Sequence, residues 1–501
     1  MIDTAAAASA LGILFGSWEP WLVVIPGLII GLVFGAVPGL QGSMAMAICL
    51  PLTLYMDFLP AMLFLTAIFT GAGFGCAVPA VLINIPGTSA AVATCFDGYP
   101  MARKGLHSEA LGYALGASVA GTAFGYVLLL LLVDSISNLV LRIGPTEMVV
   151  VILWGLTLIA VLRGRNVLRG LIAGFAGVLL GTIGLSTAGV LRGTAGITEL
   201  LDGVPVVPAI LGMFAVSELL DMARRRYIVE AKEAPKLSFR RILDGFLGGF
   251  SYPAVVLRGS LIGSLIGALP GVGSSVSNLV SYADARRSDR DPESFGRGNP
   301  KGVVASEAAN SSSEGGSMVT LLALGIPGGG GTAILLAAFS MHNVTGGPRF
   351  IAENTDIVYA IILGNFAQAI LLALVGLGII HLLSAVVLVP VRVLVPSVLA
   401  LSVFGAYGLS GDISGPVTVL VFGVFGWVLK RYDYSVPAAV VGLLLGKLLE
   451  AELVHSWQIS GGQAEYLLER PITIGLLALL IASVALPPLM QRRRRRTTPE
   501  G

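Results

Sequence analysis

The chain has 501 residues, of which 55% are hydrophobic and 12% are charged, and its mean hydropathy is +0.87. Soluble domains carry about 25% charged residues, so this composition excludes a soluble globular protein and indicates an integral membrane protein. The formal net charge is only +2, and the basic residues lie in loops between apolar runs. A nucleic-acid partner is therefore not expected.

Apolar stretches follow one another along the whole chain. At roughly 20 residues for each crossing, they predict an all-α polytopic membrane protein with about 10–12 transmembrane helices. The N-terminus lacks a basic segment, so a cleaved signal peptide is not expected. Broken segments are predicted at 21–54, 78–96, 256–282 and 315–341. Uninterrupted spans are predicted at 60–76, 112–133, 146–162, 167–185, 204–220, 355–379, 381–402, 413–429, 436–450 and 471–488.

Proline-glycine pairs interrupt the four broken segments, and the interruptions are repeated. Residues 31–43 (GLVFGAVPGLQGS) recur as 263–275 (GSLIGALPGVGSS) at an offset of 232, and INIPG at 83–87 recurs as LGIPG at 324–328 at an offset of 241. Proline removes a backbone donor, which is costly in hydrocarbon unless the break lines a buried or wet cavity. Matched breaks in two halves of a chain point to a transporter's binding site. We predict broken helices or re-entrant hairpins at Pro38-Gly39, Pro86-Gly87, Pro270-Gly271 and Pro327-Gly328.

The loops that follow corresponding breaks differ in charge. After the first proline-glycine break, residues 55–60 hold no basic residue, whereas after its repeat, residues 284–301 hold five. Basic loops mark the cytoplasmic side of a membrane protein. The two halves are therefore predicted to be inverted-topology repeats at residues 1–237 and 238–501, with the basic C-terminal tail in the cytoplasm.

The second proline-glycine break favours a hairpin. Arg258 and Arg286 flank it, both are predicted to be cytoplasmic, and the 27 residues between them are too few for two full spans. A hairpin that enters the membrane, turns at the break and returns satisfies both ends, and residues 238–256 would then lie along the inner surface. A single kinked span is the alternative.

Small polar residues and glycines surround the breaks. Amides freed at the start of a half-helix attract anions, and freed carbonyls and hydroxyls are ligands for a small cation. Such side chains also often bond to their own helix, so both interpretations stay open. The predicted substrate-binding residues are Gly39, Gln41, Ser43, Asn84, Gly87, Thr88, Ser89, Gly271, Ser274, Ser275, Asn310, Gly328 and Gly329. The predicted coupling-ion residues are Pro38, Asn84, Ser277, Asn278 and Gly325.

Acidic residues are scarce in the apolar stretches. Glu307 and Glu314 stand just before the second LGIPG break, where they are candidates to line a cavity mouth, relay protons or cap a helix. No carboxylate is predicted deep within an uninterrupted span, which favours sodium held by neutral oxygens over a proton relay. Four others, predicted at span ends, are Asp134, Glu147, Glu218 and Glu450.

No catalytic or metal-binding motif is present. The sequence contains no nucleophile elbow, no phosphate-binding GxxxxGK[ST] and no HExxH, so neither an enzyme nor ATP hydrolysis is predicted. The three cysteines, Cys49, Cys76 and Cys95, have no ligand-like spacing and are predicted to be small core residues.

The stretches around the breaks resemble the TctA family, the large permease subunit of the tripartite tricarboxylate transporters. The similarity runs over nearly the whole chain. It is carried by GLVFGAVPGLQGSMAMAICLPLT at 31–53, by VLINIPGTSAAVATCFDGYPMARKGLHSEALG at 81–112, by RGSLIGSLIGALPGVGSSVSNLVSYADARRSDRDPESFGRG at 258–298, by EAAN at 307–310 and by LGIPGGGGTA at 324–333.

The resemblance implies a secondary symporter of the bacterial inner membrane that imports an organic acid anion. Such a permease works with a small four-span membrane subunit and a periplasmic substrate-binding protein. It takes di- or tricarboxylates such as citrate, uses a sodium or proton gradient, and needs no other cofactor. A stand-alone carboxylate carrier or a channel is the alternative function.

The sequence departs from the family pattern at the predicted site. The family usually has EAANNA where EAANSSSEGG stands here, a polar residue where the glycine run Gly328–Gly331 stands, and HGLQPGP where residues 342–348 read HNVTGGP. The departures put the identity of the substrate in question.

Overall fold

The computed structural model describes residues 3–140, 144–163, 167–186, 189–222, 237–270, 273–386, 391–463 and 470–481. Helices dominate these ranges, so the predicted all-α polytopic class is confirmed. The α-helices are α1 (Thr4–Gly16), α2 (Glu19–Ala36), α3 (Gly42–Cys49), α4 (Phe58–Gly75), α5 (Ala77–Ile83), α6 (Val92–Arg103), α7 (His107–Val140), α8 (Pro145–Arg163), α9 (Val167–Gly181), α10 (Val206–Leu211), α11 (Ser217–Met222), α12 (Phe239–Gly249), α13 (Pro253–Gly267), α14 (Ser274–Ser288), α15 (Pro300–Leu324), α16 (Gly330–Met341), α17 (Pro348–Glu353), α18 (Thr355–Val386), α19 (Val391–Ser410), α20 (Ser414–Arg431), α21 (Val436–Ile459) and α22 (Pro471–Ile481).

Short elements complete the described chain. β1 (Gly184–Leu185) and β2 (Leu191–Arg192) form one antiparallel pair in which Leu185 faces Leu191. A π-helical segment, Gly212–Val216, joins α10 to α11 into one continuous helix. The 3₁₀ turns are Leu50–Tyr55, Ser89–Ala91, Thr198–Leu200 and Pro292–Ser294.

Four helical stretches of the described residues are long and apolar enough to cross a membrane. They are Glu19–Ala36, Phe58–Ile83, His107–Val133 and Thr355–Ala385, and a fifth arises if α12 and α13, bent by 74°, are one span. The other apolar helices are shorter or interrupted, so the predicted count of crossings stays a prediction. One predicted boundary is wrong: α18 continues to Val386 through the expected gap at 380, because no proline interrupts the sequence until Pro390.

The described helices belong to two compact units. The first comprises Met1–Ser137 and Val207–Trp427, and the second comprises Asn138–Val206 and Val428–Gly501. All four breaks lie in the first unit. The predicted repeats, divided at residue 237, were defined by duplicated sequence and not by compact units. This division stays a prediction.

Helix packing in the first unit repeats at the offsets found in the sequence. A Cβ atom at Gly31 of α2 would lie 2.2 Å from the Ile68 carbonyl oxygen of α4, and one at Gly263 of α13 would lie 2.3 Å from the Ala309 carbonyl oxygen of α15. Shifting the first pair by 232 and 241 residues produces the second. The same offsets relate the contact of Gly35 with Ala72 to that of Gly267 with Ser313. They also relate the contact of Gly75 with Leu32 to that of Gly316 with Ser264. The two halves therefore contain the same close parallel helix pair; their opposite membrane orientation remains a prediction.

The second proline-glycine segment folds back on itself. α13 runs parallel to α15, with Gly259 near Ala305 and Gly267 near Ser313. α14 runs antiparallel to α15, because Ser281 bonds to Ala305 and Ser277 to Ala309. Arg258 and Asp284 consequently form an ion pair of 3.8 Å across the two arms. The segment is thus a helical hairpin, not a single kinked helix.

α15 differs most from the sequence prediction. The broken segment was predicted to begin at 315, but the helix starts at Pro300 and includes the whole EAANSSSEGG stretch, most of it buried. Its small polar side chains are covered by neighbouring helices of the same unit. Low hydropathy in this stretch therefore reflects a polar interior and not a loop.

Candidate functional site

The helices are interrupted at all four predicted breaks. Residues 37–41, 84–88, 268–273 and 325–329 separate consecutive helices, although Gly271 itself lies outside the described residues. Proline cannot donate in the helical ladder, so each helix ends before it. Gly39 has φ +91°, a left-handed conformation that favours glycine at this bend.

The two IPG breaks have the same geometry. Asn84 ends α5 with φ 56°, and Gly325 ends α15 with φ 66°. In both, the next isoleucine donates back to the carbonyl six residues earlier, from Ile85 to Pro79 and from Ile326 to Thr320, each at 3.4 Å. Each helix thus ends in a left-handed residue, a conformation that glycine and asparagine adopt most readily at a helix C-terminus. The predicted ion residues Asn84 and Gly325 are thus also helix caps.

The breaks of the two halves pair crosswise. The hydroxyls of Ser89, after the first IPG break, and Ser275, after the second proline-glycine break, are 2.6 Å apart. Asn278 donates through Nδ2 to the carbonyls of Ser89, at 3.3 Å, and Ala90. The first proline-glycine helix, α3, packs in turn against α16 of the second half. Predicted site residues from both halves therefore meet in one region.

The crosswise contact between α3 and α16 has one hydroxyl fewer than the contact between Ser89 and Ser275. By the repeat offsets, Ser43 corresponds to Ser275 and Gly330 corresponds to Ser89. A Cβ atom at Gly330 would lie 3.4 Å from the Ser43 side chain. The glycine run thus leaves a gap on one side of the site, where the first half has a serine.

The predicted glycines divide into packed and open positions. A Cβ atom at Gly87 would lie 2.5 Å from the Gly35 carbonyl oxygen, and one at Gly328 would lie 3.0 Å from the Gly267 carbonyl oxygen. These two glycines let one break approach the other within each half. A Cβ atom at Gly329 would meet nothing within 4 Å, so the backbone there is open to a ligand.

Several predicted polar residues are accessible and others are not. Gln41, Asn84 and Ser89 are exposed, and Thr88, Ser274 and Ser275 are half-buried. Ser43, Pro38, Ser277, Asn278 and Asn310 are buried. Accessible side chains suit direct contact with a substrate, whereas the buried ones suit positioning or a small ion.

Asn278 has an unsatisfied acceptor in the crosswise contact. Its Nδ2 is engaged with two carbonyls, but its Oδ1 is buried and has no hydrogen-bond partner in the described part of the chain. Ser277, beside it, donates to the carbonyls of Ser274 and Ala309 at 3.1 and 3.3 Å. Asn278 therefore offers a free oxygen, while the Ser277 hydroxyl is bonded to the backbone.

Asn310 lies away from the crosswise contact. Its Nδ2 donates to the Gly73 carbonyl of α4 at 2.8 Å. Glu307, three residues before Asn310, and Glu314, four residues after it, lie on the same face of α15. Both side chains are buried, and both residues lie in the middle of the helix. The expectation that these glutamates cap a helix is wrong, because α15 continues through both.

The glutamates accept hydrogen bonds from three other helices. Thr94 and Ser118 donate to Glu307, the latter at 3.2 Å. Thr70 and Tyr126 donate to Glu314, at 2.7 and 2.8 Å. Sequence reasoning missed these hydroxyl partners. Glu307, Asn310 and Glu314 are three and four residues apart in the sequence. This spacing could have shown that the two glutamates lie on one face of a helix.

Asp97 was also missed. Its Oδ1 accepts the backbone N–H groups of Gly296, Gly298 and Asn299 at 2.8–2.9 Å, and its Oδ2 accepts the Tyr282 hydroxyl at 2.9 Å. The carboxylate thus fastens α6 to the loop that leads into α15. In the same loop, Lys301 bonds to Asp289 at 2.5 Å and lowers the pKa of that carboxyl.

The second unit holds its own buried ion pair. Glu147 accepts from Arg470 and Thr473, each at 2.9 Å, and from the Gly144 amide. Glu450 pairs with Arg192 in the same unit. These acidic residues, predicted at span ends, are therefore tied to structural partners.

Metal ligation finds no support among the described residues. No group of three or more His, Cys, Asp and Glu side chains is placed to hold a metal ion there. Cys49, Cys76 and Cys95 are free thiols and buried, as predicted for core residues.

Comparisons with known proteins identify related sequences. A sequence profile described as the tripartite tricarboxylate transporter TctA family matches residues 21–441. An Agrobacterium vitis protein described as an uncharacterized 52.8 kDa protein in the TAR-I ttuC' 3' region is 30% identical over 475 residues, which cover 94% of this chain and 93% of the relative. A second protein from that organism, described as an uncharacterized protein in the TAR-II ttuC' 3' region, is 31% identical over 224 residues, covering 45% of this chain and 93% of the relative. No solved structure matches the chain significantly.

Proposed function

Because the chain belongs to the tripartite tricarboxylate transporter TctA family, we propose that it is a secondary symporter that imports an organic acid anion. The family is one of transporters, not of enzymes, and the chain is a multi-pass membrane protein. The proposed substrate is a di- or tricarboxylate such as citrate, and the proposed driving ion is sodium or a proton. The proposed location is the bacterial inner membrane, with the C-terminus in the cytoplasm.

The proposed transporter has two partners. A periplasmic binding protein delivers the anion, and a small four-span membrane subunit completes the complex. The name of the family, a tripartite transporter, supports other subunits. The chain contains no nucleotide-binding motif, which supports an ion gradient as the energy source.

The contact between Ser89 and Ser275 carries the proposal. It joins two breaks that are 186 residues apart in the chain. The half-helices that begin beside the breaks, α3, α14 and α16, start with free amides and partial positive charge, which attract carboxylate groups. We propose that the anion binds to these amides and to the Ser89 and Ser275 hydroxyls.

For sodium as the driving ion, the proposed cation site lies beside the anion. The free Oδ1 of Asn278 supports it, because a buried carbonyl oxygen without a donor is costly unless it meets a cation or a proton donor. The crosswise pairing of the halves supports alternating access, since the same site is then shared by two repeats that can exchange roles.

The proposal is tested by uptake into proteoliposomes or membrane vesicles. Labelled citrate and labelled succinate are supplied with and without a sodium gradient, a pH gradient and the binding protein. We expect accumulation that needs a gradient and is stimulated by the binding protein. Flux that ignores every gradient would identify a channel, and full accumulation without the binding protein would identify a stand-alone carrier.

A double-mutant cycle tests the Ser89–Ser275 pair. Losing a hydrogen bond to a charged ligand costs roughly 1.5–3 kcal/mol, so S89A and S275A should each weaken the apparent affinity for the anion roughly 10- to 100-fold. Because the two hydroxyls touch, the double variant should be much less than additive. Ser340→Ala, whose hydroxyl donates within its own helix α16, is the control and should transport normally. Fully additive or absent effects would place the anion elsewhere.

A further inference from the structure

A polar track runs between α7 and α15 inside the first unit. Glu307 and Glu314 lie seven residues apart on α15 and are 0% and 5% exposed. Ser118, Thr122 and Tyr126 follow at intervals of four on α7, so they share one face of that helix. The outer two donate to the two glutamates. The track therefore consists of two carboxylates on one helix and three hydroxyls on the other.

Thr122 stands between the carboxylates without a partner. It is 1% exposed, and its Oγ1 has no hydrogen-bond partner in the described part of the chain. The helices approach closely here, since a Cβ atom at Gly121 would lie 2.4 Å from the Ala308 carbonyl oxygen. A buried hydroxyl left unpaired costs roughly 1–3 kcal/mol. Such a group calls for an explanation beyond packing.

The carboxylates face no cation. Within the described ranges neither Glu307 nor Glu314 forms an ion pair with lysine, arginine or histidine. The titratable groups that face them are the Tyr126 hydroxyl and the Cys76 and Cys95 thiols. From α4 and α6 the facing groups are the Thr70 and Thr94 hydroxyls, and α13 and α14 present to α15 the non-titratable residues Gly263, Gly267 and Ser277.

Burial without a counter-charge makes an ionised carboxylate costly, so such a group is stable when it carries a proton. The hydrogen bonds of Glu314 indicate where the proton goes. Thr70 and Tyr126 both donate to Oε1, which leaves Oε2 as the atom to form the O–H bond. Sodium would instead need a shell of several oxygen ligands around each carboxylate, and the hydroxyls here donate their hydrogens to the carboxylate oxygens.

We propose that Glu307, Thr122 and Glu314 form the proton-carrying site of the transporter, so that the coupling ion is a proton; this rests on the symport function proposed above. Loading transfers a proton from hydronium to a carboxylate oxygen, which forms an O–H bond and releases water, and unloading reverses the step. The Thr122 hydroxyl, which can both donate and accept a hydrogen bond, is proposed to pass the proton between the two carboxylates.

The track is connected to the anion site. α15, which carries both glutamates, ends at the second IPG break. Thr94, which donates to Glu307, stands five residues after Ser89, and Asn310 lies on the same face of α15 between the glutamates. Protonation of Glu307 changes its hydrogen bond with Thr94. This couples the carboxylate to the segment that contains Ser89.

The test separates net uptake from exchange in vesicles that contain the full chain with its subunits. Exchange of external labelled citrate for internal citrate needs no proton release, whereas uptake driven by a pH gradient does. We expect E307Q and E314Q to lower pH-driven uptake more than tenfold while exchange stays within about twofold of wild type. T122V should slow pH-driven uptake and spare exchange. Citrate-induced alkalinisation of the medium, followed with a pH dye, should disappear in both glutamine variants.

Controls keep the result interpretable. E293Q makes the same chemical change in a side chain that is 78% exposed and should behave as wild type. Glu314→Asp keeps a carboxylate and should keep pH-driven uptake, even if the glutamine variant folds poorly. Wild-type uptake that follows sodium and ignores pH, or glutamine variants with full pH-driven uptake, would overturn the proton site. Wild-type vesicles with neither uptake nor exchange of any carboxylate would instead refute the proposed function.

Discussion

Replacing Gly71 by alanine should lower the thermal unfolding midpoint of the protein by several degrees, whereas the same change at Gly73 should leave it unchanged or slightly higher. A Cβ atom at Gly71 would lie 2.4 Å from the Leu28 carbonyl oxygen of α2, so α2 and α4 would have to separate. Overpacking of this kind costs roughly 1–3 kcal/mol. A Cβ atom at Gly73 would meet nothing within 4 Å, so only the better helix propensity of alanine, up to about 1 kcal/mol, remains.

The two glycines form a matched pair in one helix. Thermal unfolding of purified protein in detergent, followed by size-exclusion chromatography, measures both variants under the same conditions. The repeat adds a second comparison, because Gly75 and Gly316 make the same contact in the two halves and should respond alike to alanine. A Gly71 variant as stable as wild type would show that the α2–α4 contact is not tight in solution.

Asp97→Ala should abolish most of the folded protein. The substitution removes the carboxylate that accepts the partly buried N–H groups of Gly296, Gly298 and Asn299. A hydrogen bond to a charged group contributes roughly 1.5–3 kcal/mol, so the loss of three is comparable to the net stability of a typical domain. Loss of the bond to Tyr282 adds to the effect.

Asp97→Asn should have an intermediate effect, since its carbonyl oxygen can still accept the three N–H groups while its amide meets Tyr282. Asp291→Ala, at an exposed position of the same connection between α14 and α15, is the control and should fold normally. The yield of monodisperse protein and the unfolding midpoint measure all three. If Asp97→Ala folds as well as Asp291→Ala, the carboxylate does not hold the loop.

The positions of the breaks were predictable because their causes are local. Proline removes a donor from its own helix, and glycine permits the left-handed turn at Gly39 and Gly325 whatever surrounds it. The glycine contacts of α2 with α4 recur between α13 and α15 at the same offsets of 232 and 241 residues, because duplicated sequence repeats its packing. Helices also occur at most of the uninterrupted apolar segments, although the boundary predicted at 380 is wrong.

The polar interior of the first unit was not predictable in this way. The predicted broken segment begins only at 315, because serine, asparagine and glutamate lower the hydropathy of the residues before it, and the structure shows that they belong to a buried helix. Whether Glu307 is solvated or buried depends on Thr94 and Ser118, which are 213 and 189 residues away in the chain. A single sequence contains no local signal for such contacts.

The sequence by itself determined that this protein is a helical membrane protein whose helices break four times in two matched sets, because proline, glycine and hydrophobicity act along the chain. Only the tertiary structure decided which break meets which. It brought Ser89 to Ser275 and, among the residues that the structure describes, left the Oδ1 of Asn278 and the hydroxyl of Thr122 without partners and Glu307 and Glu314 without a cation. Those outcomes depend on how separate helices pack, since burial and hydrogen-bond partnership arise between segments far apart in the chain.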